Sequence, residues 1–246
     1  MLNCNACRTG LDFDFSMAFQ PIVDVRTDTV FAYEALVRGM AGEGAGAVLS
    51  RVTDETRYAF DQKCRTKAVE LAASLGMSEN LSINFMPNAI YEPRLCLRST
   101  FEASKRFAFP ADRLIFELTE DERITDRAWI HRIIVEYRQS GLKVAIDDFG
   151  AGYAQLNLLA EIRPDIVKLD MEMVRGVDVD RGRQALVRGI VQACDVMDVR
   201  VVAEGIETEA EARTLKDIGI PYLQGYLFAR PGFQSLPTPR FAVGVA

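Results

Sequence analysis

Histidine is all but missing from this chain: His131 is the only one in 246 residues. Zinc chemistry of the His-rich kind is thereby excluded. His131 itself, beside Trp129 and Ile130 in an expected helix, reads as a surface or packing residue. Cysteine is scarce and odd in number, and Cys4, Cys7, Cys64, Cys96 and Cys194 do not read as a disulfide framework. Cys4 and Cys7 have ligand-like spacing, yet no second pair or histidine cluster follows to complete a zinc site of about four ligands. A basic excess is also missing: 29 Lys and Arg against 35 Asp and Glu give a net charge of -6 with no basic stripe. That argues against binding a nucleic acid polymer or an anionic membrane surface. No apolar run is long enough to cross a bilayer, and the start from Met1 to Asn5 lacks the basic and apolar pattern of a secretory signal. The expected setting is the cytoplasm, with no membrane partner. No Pro/Gly/Ser-rich linker, low-complexity stretch, solenoid repeat or glycine-rich dinucleotide fingerprint interrupts the chain.

What is there is a near-average globular composition, 49% hydrophobic and 26% charged, in a length that suits one large domain. The first apolar, β-branched run is Met17 to Val23, and a short polar turn through Asp28 leads to a second, Val30 to Val37; the pair predicts an antiparallel hairpin. A long amphipathic stretch from Asp54 to Leu75 predicts a helix with an acidic first turn, closed by Gly76. Strands follow at Leu81 to Phe85, Leu114 to Leu118, Lys143 to Asp147, Asp165 to Leu169, Arg200 to Ala203 and Tyr222 to Phe228, with helical patterns between them. A strand, helix, strand rhythm is the signature of a parallel sheet with helical crossovers. The expected fold class is α/β: a modified (β/α)₈ TIM-like barrel with an antiparallel first strand pair.

Polar side chains fall at the strand ends: Asn84, Glu117, Asp147 with Asp148, Lys168, Glu204 and Gln224, while Glu34 lies inside the second run. In a parallel barrel the carboxyl ends of the strands share one rim, so carboxylates distant in sequence converge there. Several carboxylates in one cavity repel and stay ionised only if cations neutralise them, and oxygen donors suit hard ions such as Mg²⁺ or Mn²⁺. Asp147 and Asp148 are neighbours on a strand and point to opposite faces unless the chain bends; Gly150 and Gly152 follow at once and permit a bend. Taken alone, Asp-Asp-Phe-Gly reads equally well as a helix cap and turn. Glu34 and Arg38 share a face about 13 Å apart at 3.3 Å per residue, a spacing for a ligand larger than one phosphate. A guanidinium matches a phosphate with its fork of donors. Lys168 sits in a strand suited to burial, where a lysine finds anions or loses its charge; a structural salt bridge is the plainer alternative.

In order along the chain, Gln20-Pro21-Ile22, Glu34-Ala35-Leu36-Val37-Arg38, Ile83-Asn84-Phe85, Glu117-Leu118-Thr119-Glu120, Asp147 to Gly152, Asp165 to Asp170, Ala203 to Glu207 and Gln224-Gly225-Tyr226 resemble the motif series of the EAL family of cyclic di-GMP phosphodiesterases. The resemblance implies an enzyme that hydrolyses cyclic di-GMP to linear pGpG with two divalent cations, Mg²⁺ or Mn²⁺. Glu34, Asn84, Glu117 and Asp147 would hold one ion, and Asp147, Asp148 and Glu204 the other. Lys168, Glu204 and Glu34 would serve catalysis; Arg38, with Gln20, Leu36 and Gln224, would bind substrate; Glu120 would steady the loop after Asp148. It also implies a phosphodiesterase domain over residues 16–235 between tails at 1–15 and 236–246, and a homodimer formed through the helix from Gln155 to Ile162. Ala154 and Gln155 depart from the family's usual pair of serines, and Phe85 and Met86 from its smaller polar residues after the asparagine. The alternatives are a member that binds cyclic di-GMP or a protein partner without turnover, or a different barrel enzyme abstracting a proton with Lys168.

Overall fold

The computed structural model describes residues 10–90, 92–118, 127–150 and 155–241. Cys4 and Cys7 lie outside the described residues; Cys64, Cys96 and Cys194 are free thiols. The chain opens with β1 (Phe15–Asp24) and β2 (Thr29–Gly39), then alternates: α1 (Ala45–Leu49), α2 (Arg57–Ser74), β3 (Asn80–Phe85), α3 (Pro93–Phe107), β4 (Leu114–Leu118), α4 (Arg127–Gln139), β5 (Lys143–Phe149), α5 (Gln155–Ile162), β6 (Ile166–Leu169), α6 (Met171–Val174), α7 (Arg181–Val196), β7 (Arg200–Ala203), α8 (Glu209–Ile218), β8 (Tyr222–Leu223) and β9 (Gly232–Phe233). The strands from β2 to β8 are parallel neighbours in sequence order, and β1 closes the ring by pairing antiparallel with both β2 and β8. The barrel is therefore the expected one, with a single inverted strand.

β1 is buried at every position, as a strand with neighbours on both edges must be. Its second edge is shared, Ala18 and Phe19 facing β9 while Val23 and Asp24 face β8. Pro21, which has no N–H to give a ladder, falls in the gap between these pairings. Ile22, Ala32, Ile115, Ala145, Ile166 and Val202, one from each of six strands, pack together as an inner plug, backed by Phe31 and Tyr222. The larger core fills the space between strands and helices. Phe13, ahead of β1, joins the Phe15 and Phe60 rings, and beyond β9 the Pro237 carbonyl accepts a hydrogen bond from Tyr33.

Three elements differ from expectation. The long helix starts at Arg57, so its first turn holds no acid. Ahead of it, Thr53 N–H bonds the Thr56 hydroxyl and Asp54 meets the Arg57 guanidinium, a local turn that leads into the helix. The last parallel strand stops at Leu223 because Gln224 and Gly225 turn against the Ile206 backbone, exchanging hydrogen bonds through Ile206 N–H and Leu227 N–H. β9 was not expected; two residues carry no readable period. His131 is exposed on α4, as expected.

Candidate functional site

Above the inner plug, the carboxyl ends of the parallel strands carry the polar residues in register. Asn84 of β3 stands beside Glu117 of β4, and Gln20 of β1 stands opposite Glu34 of β2. Lys168 of β6, 1% exposed, is the hub. Its Nζ lies 2.6 Å from Glu204, 2.9 Å from Asp147, 3.0 Å from Glu117 and 3.5 Å from Glu34. A lone ammonium would not tolerate this depth; four carboxylates around it more than offset the burial, and its pKa rises well above the usual lysine value.

The carboxylates themselves divide. Burial pushes Glu117 and Glu204 well above the ordinary glutamate range, and Asp147 upward as well, with like charges adding to the effect. Glu34 is pushed up by the same burial, but Lys168 and hydrogen bonds donated by Gln224 (2.8 Å) and Asn84 (3.0 Å) outweigh it and leave its pKa lowered. Gln224 also reaches Gln20, whose own amide donates to the Ala229 carbonyl. Ser82, two residues before Asn84 on the same face of β3, donates to Glu117 at 2.6 Å. Its parity with Asn84 was the only signal of this, and a serine in a strand is too common to single out.

The bend that brings two consecutive aspartates to one side is real, but it sits at Asp148 itself. Asp148 has φ of 51°, and the β5–β6 register slips between Ile146 and Phe149. Aspartate is among the few residues that enter the left-handed region without help. Gly150 does follow with φ of 109°, leaving room for the Met173 side chain. Carboxylate oxygens then form two groups of three, each within 4.8 Å: Glu34, Glu117 and Asp147, and Asp147, Asp148 and Glu204. Asp147 belongs to both. Asn84 Oδ1 and Glu117 Oε2 are buried without a hydrogen-bond partner. A cleft of about 240 Å³ opens over this cluster, walled by Gln20, Glu34, Asp148, Glu204 and Gln224, with Met171, Glu207 and Tyr226 at its sides.

Arg38 and Leu36 are partly exposed on β2 and do not join the cluster; Arg38 Nη1 donates to the Val37 carbonyl, and Leu36 lines a separate apolar cavity with Asn84 and Met86. Glu120 and Ala154 lie outside the described residues. Among the described residues no helix is long and apolar enough to cross a membrane.

The model of the EAL domain family matches residues 5–231. The chain is 29% identical over 235 residues to the blue light- and temperature-regulated antirepressor BluF of Escherichia coli, covering 95% of this chain and 58% of that one. It is 31% identical over 228 residues to the probable cyclic di-GMP phosphodiesterase PdeI of the same organism, covering 87% of this chain and 28% of that one. The chain thus spans only part of these relatives. Among solved structures, a standalone EAL protein of Vibrio cholerae with cyclic di-GMP bound superposes with a TM-score of 0.93 at 49% identity, covering 96% of this chain and all of that one (100%). The manganese and cyclic di-GMP complex of Klebsiella pneumoniae BlrP1 gives 0.85 at 34% identity, covering 89% of this chain and 56% of that one.

Proposed function

The chain belongs to the EAL domain family, and we propose that it is a cyclic di-GMP phosphodiesterase that hydrolyses its substrate to linear pGpG with two divalent cations, Mg²⁺ or Mn²⁺. The observation that carries this reading is the pair of carboxylate triads sharing Asp147. The residues suit such ions. Every donor is a hard oxygen, and two of them, on Asn84 and Glu117, are buried with no other partner. Five carboxylates and one ammonium give the cluster a formal charge of minus four, which two divalent ions cancel. Glu34, Asn84, Glu117 and Asp147 would hold the first, and Asp147, Asp148 and Glu204 the second. When bound, such a pair supplies charge neutralisation on the phosphoryl oxygens and an acidified water.

In this reading the chain's own residues take the following parts. Lys168 remains an ammonium and so acts as a donor, orienting the attacking water rather than deprotonating it. Glu204, on the cleft wall, accepts the water's proton as the new P–O bond forms and the bond to the 3′ oxygen breaks; the leaving oxygen is protonated from solvent. Gln20 and Gln224 wall the pocket, Leu36 would meet the substrate from β2, Glu34 is kept ionised, and Arg38, partly exposed, would exchange the Val37 carbonyl for the phosphate that is not cut. Glu120 would steady the loop after Asp148. The domain is taken as residues 16–235, acting in the cytoplasm. A homodimer through α5 is supported by Leu156, 67% exposed on a helix whose Leu158 and Leu159 are buried.

Chromatography of a reaction with cyclic di-GMP and Mn²⁺ should show pGpG, none after chelation, and none with Glu34→Ala. The resemblance to an antirepressor favours a second reading, a domain that binds the dinucleotide or a protein partner without turnover. Binding of cyclic di-GMP by the wild-type protein with no product would establish that reading instead.

A further inference from the structure

Among the described residues the largest fully buried side chain is Arg65 of α2, 0% exposed, paired at 2.6 Å with Asp61, 2% exposed. A buried ion pair is a weak source of stability, because apolar residues of equal bulk commonly do as well. Its presence asks for another reason. Asp61 divides its oxygens: Oδ2 faces the Arg65 guanidinium, and Oδ1 accepts the Met86 N–H at 3.0 Å. Arg65 in turn donates to the Cys96 carbonyl of α3. Met86 is the residue where the chain leaves β3, past the last ladder pair, Phe85 with Leu118. Between it and Asn84, the Phe85 ring packs on Tyr137 at 5.4 Å and on Phe116 at 6.0 Å. Residues 84–86 are therefore held at three points: Asn84 Nδ2 on Glu34, the Phe85 ring among aromatics, and the Met86 N–H on Asp61.

We infer that the Asp61–Arg65 pair positions Asn84 for the first cation, Arg65 holding the Asp61 carboxylate where it can anchor the strand exit. This rests on the functional reading above. Neither residue lines the cleft or belongs to the carboxylate groups; both act through the backbone that carries Asn84. Groups that orient a metal ligand from behind typically cost about 10- to 100-fold in metal affinity or activity when lost.

Two variants separate positioning from mere packing. Asp61→Leu with Arg65→Met removes the charges and the acceptor together, stranding no charge but freeing the Met86 N–H and the Cys96 carbonyl, so the melting temperature falls modestly while Mn²⁺, titrated calorimetrically without substrate, binds about tenfold or more weakly. Asp61→Asn keeps an acceptor for Met86 but strands the guanidinium, so the melting temperature falls while Mn²⁺ affinity stays near that of the wild type. Mn²⁺ binding by the double variant as tight as the wild type's overturns the inference, as does affinity that falls in step with melting temperature in both variants. If the double variant does not fold, Asp61→Asn decides, weakened Mn²⁺ binding being the adverse result. Wild-type protein that neither binds Mn²⁺ nor turns over cyclic di-GMP overturns the functional reading and this inference with it.

Discussion

Replacing Lys168 by methionine keeps the bulk of the side chain and removes the one positive charge the described structure places among Glu34, Glu117, Asp147 and Glu204. Side-chain exposure of these carboxylates runs from 0% at Glu117 to 17% at Glu204, so solvent cannot stand in for the ammonium. Removing one partner of a buried charge pair costs about 3–5 kcal/mol. For a chain of this size each kcal/mol is worth about 2–4 °C, so the melting temperature of the metal-free variant should fall by roughly 6–20 °C. The carboxylates blunt the loss by taking up protons, which burial already favours at Glu117, Glu204 and Asp147, so the deficit should be smaller in mild acid than at pH 8. Divalent cations repair the same charge. Thermal unfolding followed by circular dichroism, after dialysis against chelator and again with saturating Mn²⁺, should show a larger Mn²⁺-induced rise in the variant than in the wild type. An equal deficit with and without Mn²⁺, or none without it, would refute the assignment of Lys168 as the cluster's internal counter-charge.

In the metal-free wild type, three of the four carboxylates around Lys168 have raised pKa values, so at these three the folded state holds more protons than the unfolded one, and stability falls as pH climbs above the ordinary carboxylate range. Glu34 works in the opposite direction, and a flat or rising melting temperature across that window would mean it dominates. Gly225→Ala should prevent folding or strongly lower the melting temperature, since a Cβ there would stand 2.1 Å from the Ile206 carbonyl oxygen. Gly189→Ala, in the open on α7, should stabilise by about 0.5–1 kcal/mol in a denaturant titration. Thr208→Ala removes half of the capping box at the start of α8 and should cost about 1 kcal/mol in the same titration.

The barrel and most of its rim were legible because both rest on period and position: alternating elements imply parallel strands, and parallel strands gather their ends. What escaped is what depends on three-dimensional neighbours. The bend at β5 was credited to the glycines after it, and Gly150 does take a positive φ while Gly152 lies outside the described residues, but the chain already turns left-handed at Asp148, a conformation that composition does not announce. The start of α2 was placed too early because Asp54 and Glu55 look like a helix's acidic first turn until Thr53 and Thr56 bond each other. Asp61 and Arg65, four apart on a helix, carry the pattern of an ordinary surface pair. Only the packing of α3 over them shows that they are interior.

The inverted first strand has a consequence at the rim. A parallel β1 would offer the cleft only its last residues; running the other way between β8 and β2, it presents Gln20 from mid-strand, opposite Glu34 and in reach of Gln224. Gln224 and Asn84 donate to the two oxygens of Glu34 and, after the larger pull of Lys168, hold it ionised at a depth where its neighbours favour their protons. If the first position holds an ion as proposed, Glu34 would be the ligand already charged and oriented for it. Gln224→Leu should accordingly make Mn²⁺ binding release more protons and weaken it most below neutral pH, a calorimetric signature that simple loss of a substrate contact would not produce.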